Sequence, residues 1–124
     1  MNKIFVLITS LLIITSCDRK NESTNDKEKI PGTVVLEWNE IAYHAFGGTS
    51  YQHSLMASRI NAMTQIAIHD AINAIQPRYQ VYAFTGTDAG ADPVAAAASA
   101  AHTVLVHEIP GKKEYLDSAL QASI

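Results

Sequence analysis

The stretch SLMASRINAMTQIAIHDAINAI, Ser54 to Ile75, decides the fold. At about 100° per residue with Asn61 as origin, Ile60, Met63, Ile68, Ala71, Ala74 and Ile75 fall between roughly 200° and 340°. Asn61, Gln65, His69, Asp70 and Asn73 fall between roughly 0° and 180°, but Leu55, Ala62, Ile66 and Ile72 are mixed in among them. Such a helix touches protein on more than one side, which predicts a central helix. Gln76-Pro77 ends it, because proline disfavours α geometry in the residue before it.

Upstream, Val34, Val35, Trp38, Ile41, Ala42 and Ala45 recur at steps of three and four, so a helix starts near Thr33, its expected N-cap. Gly47-Gly48 stops it. Downstream, Arg78 to Gly90 reads as an irregular connection in which Tyr79, Tyr82 and Phe84 serve as packing anchors. Asp92-Pro93 supplies an N-cap and a proline for the first helical position. The helix through Glu108 carries alanine at 95 to 98, 100 and 101, which favours helix and admits a close neighbour. Pro110-Gly111 ends it. A last helix begins near Lys112, with Leu116, Ala119, Leu120 and Ile124 on one stripe. The expectation is an all-α bundle fragment of about four helices over 33–124, with an apolar stripe still running at Ile124 and the domain therefore truncated.

The first 17 residues read as a leader. Lys3 is followed by Ile4 to Ile14, an apolar run broken only by Thr9 and Ser10, too short for a membrane span of ~20 residues. Ile14-Thr15-Ser16-Cys17 resembles the lipobox of bacterial lipoproteins, which makes Cys17 the lipid attachment site. The partner so implied is the membrane, and the implied location is the cell envelope. The competing reading is an ordinary secretion signal with a chance cysteine. Residues 18–32 form a polar tether, and Asp18 to Lys29 contains no apolar residue to bury. With 9 basic and 12 acidic residues the chain carries −3; residues 1–17 hold Lys3 and no acid, so the remainder carries −4. A nucleic-acid partner requires a dense basic face, and the sequence has none.

Candidate chemistry is sparse. His69-Asp70 suggests a metal-ligand pair, yet adjacent helical residues diverge by about 100°, and the simpler reading has both bonded to neighbouring helices. His102 and His107, about 140° apart on their helix, cannot easily grip one ion, and no HExxH occurs. Asn61, Gln65, His69 and Asn73 at four-residue spacing either line a ligand groove or form a wet or interdomain face. The serines sit in no nucleophile elbow. No residue qualifies as catalytic, cofactor-binding or metal-binding.

Taken in order, VVLEWNEIAYHAF, SRINAMTQIAIHDAINAI, RYQVYAF, DPVAAAASAAHTVLVHEIP and LDSALQAS resemble the N-terminal helical region of vanadium-dependent haloperoxidase-related proteins. That family shares its catalytic helical domain with the type 2 phosphatidic acid phosphatases. The resemblance covers about residues 33 to 123, and its most specific parts are IAIHDAINAI and the alanine-rich run into HTVLVHEIP. It implies a full-length protein that holds vanadate or phosphate between a lysine, arginines and histidines. The Ser-Gly-His and arginine–histidine motifs that do this belong to the family's C-terminal helical half and do not occur in this sequence. The expectation is an N-terminal segment, inactive alone, whose partner is that missing half. The alternative is a non-catalytic helical lipoprotein that binds or scaffolds.

Overall fold

The computed structural model describes residues 32–48 and 53–124. The leader, Cys17 and all of the tether except Gly32 lie outside the described residues. Those described form an all-α bundle of four helices: α1 (Thr33–Phe46), α2 (Ser54–Ile75), α3 (Pro93–Glu108) and α4 (Lys113–Ser123). A short 3₁₀ turn, Pro110–Lys112, joins α3 to α4.

The boundaries follow local chemistry. Gly47 ends α1 at φ 108°, in the left-handed region that only glycine enters at little cost, and its N–H reaches the carbonyls of Tyr43 and His44. Asp92 caps α3, its Oδ1 accepting from the Ala95 N–H at 2.7 Å, with Pro93 at the first helical position. The start of α1 departs from expectation. Gly32, not Thr33, holds the cap position, and no side chain caps the helix there. Thr33 has already entered helical geometry, so its hydroxyl does not serve the first turn.

The central position also differs from expectation. α3, not α2, packs against each of the other three helices, and Ala97, Ala98, Ala101 and Leu105 are fully buried on it. Small side chains decide this, because a stripe of alanines lets neighbouring backbones approach closely from several directions. Around that axis the core gathers Val34, Trp38, Ala42 and Ala45 from α1, Ile60 and Ile68 from α2, and Leu116 from α4. Fully burying a leucine such as Leu105 or Leu116 contributes about 2 kcal/mol. The Ser123 hydroxyl donates to Glu37 Oε1 at 3.0 Å and ties the end of α4 to α1.

The apolar arc of α2 turns inward through Ile60, Thr64, Ile68, Ala74 and Ile75. Its mixed face is covered only in part. Leu55 is exposed and Ile66 and Ile72 are half-buried, whereas Asp70 and Asn73 are buried although both are polar. What covers them is the connection from Gln76 to Asp92.

Candidate functional site

His69, Asp70 and Asn73 share one turn of α2, and together they hold the segment that follows it. Asp70, 2% exposed, accepts three backbone N–H groups. Its Oδ1 takes Tyr82 at 2.9 Å, and its Oδ2 takes Ala83 at 2.7 Å and Phe84 at 3.0 Å. Asn73 Oδ1 accepts from Arg78 at 3.1 Å and Tyr79 at 2.9 Å, while its Nδ2 donates to the His69 carbonyl at 2.9 Å. The His69 Nε2 lies 3.1 Å from the Gln80 carbonyl. A carbonyl only accepts, so Nε2 carries the hydrogen and donates. The Asn73 amide, 3.1 Å from the same nitrogen, is then left with the His69 carbonyl as its acceptor. Five amides and one carbonyl between Arg78 and Phe84 thus close on one helix face, and the Asp88 N–H returns to the Ala74 carbonyl at 2.8 Å.

Two expectations are corrected here. His69 and Asp70 bond the connecting segment, not neighbouring helices. Tyr79, Tyr82 and Phe84 are not the anchors either; they are 73%, 72% and 57% exposed. The backbone of this segment is held by side chains of α2, which frees its aromatic rings to face outward. The rings of Tyr79 and Tyr82 lie 6.1 and 5.4 Å from the His69 imidazole, the latter edge-on. Phe84 folds over Gly86, where a Cβ would stand 2.3 Å from its ring, so a larger residue there would displace the ring.

This geometry limits what the His-Asp pair can do. The Phe84 amide and then the Tyr82 amide hold the Asp70 carboxyl below the usual carboxylate range, with smaller help from Ala83 and His69, while burial pulls the other way. A carboxylate so stabilised is a poor base. It accepts nothing from His69, so the two do not form an acid–base dyad. Among the described residues no three His, Cys, Asp or Glu side chains converge on a position for a metal ion.

The four-spaced polar series divides along its length. Gln65, His69 and Asn73 line an open groove of about 610 Å³ between α1, α2 and the segment after it, and Gln65 Nε2 donates to Asn39 Oδ1 at 2.7 Å. Asn61 lies outside that groove, and its Oδ1 is buried without a hydrogen-bond partner. A second groove of about 710 Å³ runs along α2 and α3, lined by Met63, Ala67, Ala71, Phe84, Ala100 and Val104.

A pair that the sequence reading missed joins α3 to α4. His102 Nε2–H donates to Asp117 Oδ1 at 2.8 Å, and Lys113 also donates to Asp117. Lys113 first, then His102, holds the Asp117 carboxyl below its usual range. The His102 ring stands edge-on to Trp38, with centroids 6.4 Å apart, and the buried Trp38 Nε1 has no hydrogen-bond partner. The available signal was positional: His102 and Asp117 are placed symmetrically about the Ile109–Pro110 bend, which is where an antiparallel helix pair brings residues together.

Among the described residues, Arg59, Arg78 and Lys113 do not converge on one point. Arg59 lies 4.0 Å from Glu108, and Lys113 is bound to Asp117. Arg78 lies beyond the far end of α2, about 24 Å of helix from Arg59. A multiply charged oxyanion requires several cations on one point, and here two of them already face carboxylates. Among the described residues no helix is long and apolar enough to cross a membrane. No family model, no curated protein and no solved structure matches the chain.

Proposed function

We propose that this chain supplies the N-terminal, non-catalytic helical part of an exported lipoprotein of the vanadium haloperoxidase and type 2 phosphatidic acid phosphatase kind. Lipid attached at Cys17 tethers it to the membrane on the far side of the plasma membrane. The observation that carries the reading is the groove along α2 and α3. Its lining sets the small side chains of Ala67, Ala71 and Ala100 among the larger Met63, Ile66, Phe84 and Val104, an apolar surface of hollows and ridges on which a further helix can pack. The oxyanion-binding cations belong to the helices that would pack there, and the turn at His69 to Asn73 serves architecture instead of chemistry.

Two measurements test this. Reading the gene downstream of the Ile124 codon should reveal Ser-Gly-His and an arginine-rich histidine motif; a stop codon at that point would overturn the proposal. The purified 124-residue chain should neither take up vanadate tightly nor hydrolyse a phosphate ester, and either activity refutes it. A second reading, a self-sufficient lipoprotein that binds a ligand or partner, is favoured by one separate observation. The groove between α1 and α2 has a polar and aromatic rim unlike the apolar α2–α3 face.

A further inference from the structure

The groove between α1, α2 and residues 76–82 is built differently from the α2–α3 face, and the difference has chemical content. Its floor is aliphatic, formed by Val35, Ile66, Ile68 and Ile72. Its rim carries the exposed rings of Tyr79 and Tyr82 beside His69. The volume, about 610 Å³, falls within the range of small-molecule sites. Arg78 is the single residue of permanent charge among its lining residues, and no carboxylate lines it.

We propose that this groove binds an aromatic monocarboxylate, its ring system lying on the aliphatic floor between Tyr79 and Tyr82 and its carboxylate facing Arg78. Three features support that choice of ligand. Asn73 and Asp70 hold the backbone that carries the two rings, so the ordering cost of binding is confined to the side-chain torsions. Exposed tyrosines offer flat apolar faces with a polar tip, suited to an aromatic body. Arg78 presents a planar guanidinium that matches carboxylate geometry, with one Nη2 contact at 3.1 Å to Gln76 Oε1 that orients it.

Two features of the molecule act against an anion here. The C-terminus of α2 points a partial negative charge of about half a unit toward this end of the groove. The full unit on Arg78 outweighs it, and the Ile72 and Ala74 carbonyls already accept from Gln76 and Asp88. The chain as a whole is negative, at −3, so its long-range field repels anions. Any preference for a carboxylate must therefore be local to Arg78. Ligand binding here does not depend on whether the α2–α3 face receives further helices, since the two grooves share only Ile66.

The test is a titration of the full chain with naphthoate and with its neutral isostere naphthamide, followed by backbone amide shifts. Naphthoate should bind about fivefold more tightly than naphthamide, the limit for a solvent-screened ion pair. Shifts should centre on Gln65, Ile72, Tyr79 and Tyr82. Arg78→Gln should bring the naphthoate and naphthamide affinities together, and Gln65→Glu, which adds a carboxylate to the lining, should weaken naphthoate more than naphthamide. Equal affinity for the two probes, no binding of either, or shifts centred on Ala67 and Ala100 would overturn the proposal. Loss of the α2–α3 docking reading would leave each of these outcomes unaffected.

Discussion

Replacing Asn73 tests the clamp on the α2 terminus most directly. Asn73→Ala removes two bonds to the amides of Arg78 and Tyr79 and one to the His69 carbonyl. Each is worth about 1 kcal/mol net. The carbonyl already has its helical partner, so that loss is small. The two freed amides belong to exposed residues that water can reach, so each loses no more than that net figure, which already counts the exchange with water. About 2 kcal/mol remains, a large fraction of the ~5–15 kcal/mol that stabilises a folded domain. Asn73→Asp keeps the acceptor and loses only the donor, but it places a negative charge near a helix C-terminus, which costs about 0.3–1 kcal/mol. It should therefore recover at least half of the loss. Urea unfolding followed through Trp38, the one tryptophan and fully buried, reads the global effect. Amide hydrogen exchange reads the local one, with Arg78 and Tyr79 exchanging about 30-fold faster in the alanine variant. If both variants behave alike, or if those two amides exchange at the parent rate, Asn73 does not hold the segment and the reasoning is wrong.

Acid should open the same region. The folded Asp70 carboxyl is depressed, so its contribution is fully present above pH about 4 and is lost as pH falls through the lower folded value. Tyr82, Ala83 and Phe84 amides should lose exchange protection below that point, whereas Asp70→Asn should show weak protection at every pH; equal protection of these amides in the parent and in Asp70→Asn at neutral pH would contradict the assignment. Cys17→Ser should release the protein from the membrane fraction and abolish lipid labelling, and retention of both would remove the lipoprotein reading.

Helix existence and most boundaries were legible because they rest on local signals. The bounds of α2 followed from apolar period and a proline, and the start of α3 from Asp92-Pro93. The cap of α1 was not legible, since Gly32 offers no side chain to recognise. The central role of α3 was obscured by its composition. Alanine contributes little to an amphipathic signal, yet Ala97, Ala98 and Ala101 are among the most enclosed of the described residues. The clamp was hidden for a different reason. Asp70 and Asn73 look like a wet helix face when only the helix is considered, and their partners are backbone amides, which no sequence pattern marks. The exposed rings of Tyr79 and Tyr82 follow from the same arrangement, because a segment held by its backbone has no need to bury its side chains.

The placement of His102 and Asp117 about the Ile109–Pro110 bend has a consequence for how this hairpin can vary. Replacing residues within the bend leaves both helices in phase, so their contact survives. Inserting or deleting a single residue inside either helix between His102 and Asp117 would turn the residues beyond it by about 100°, carrying Asp117 away from His102 and disturbing the burial of Leu116. The helical spacing on either side of the bend is therefore under tighter constraint than the chemistry of the bend itself.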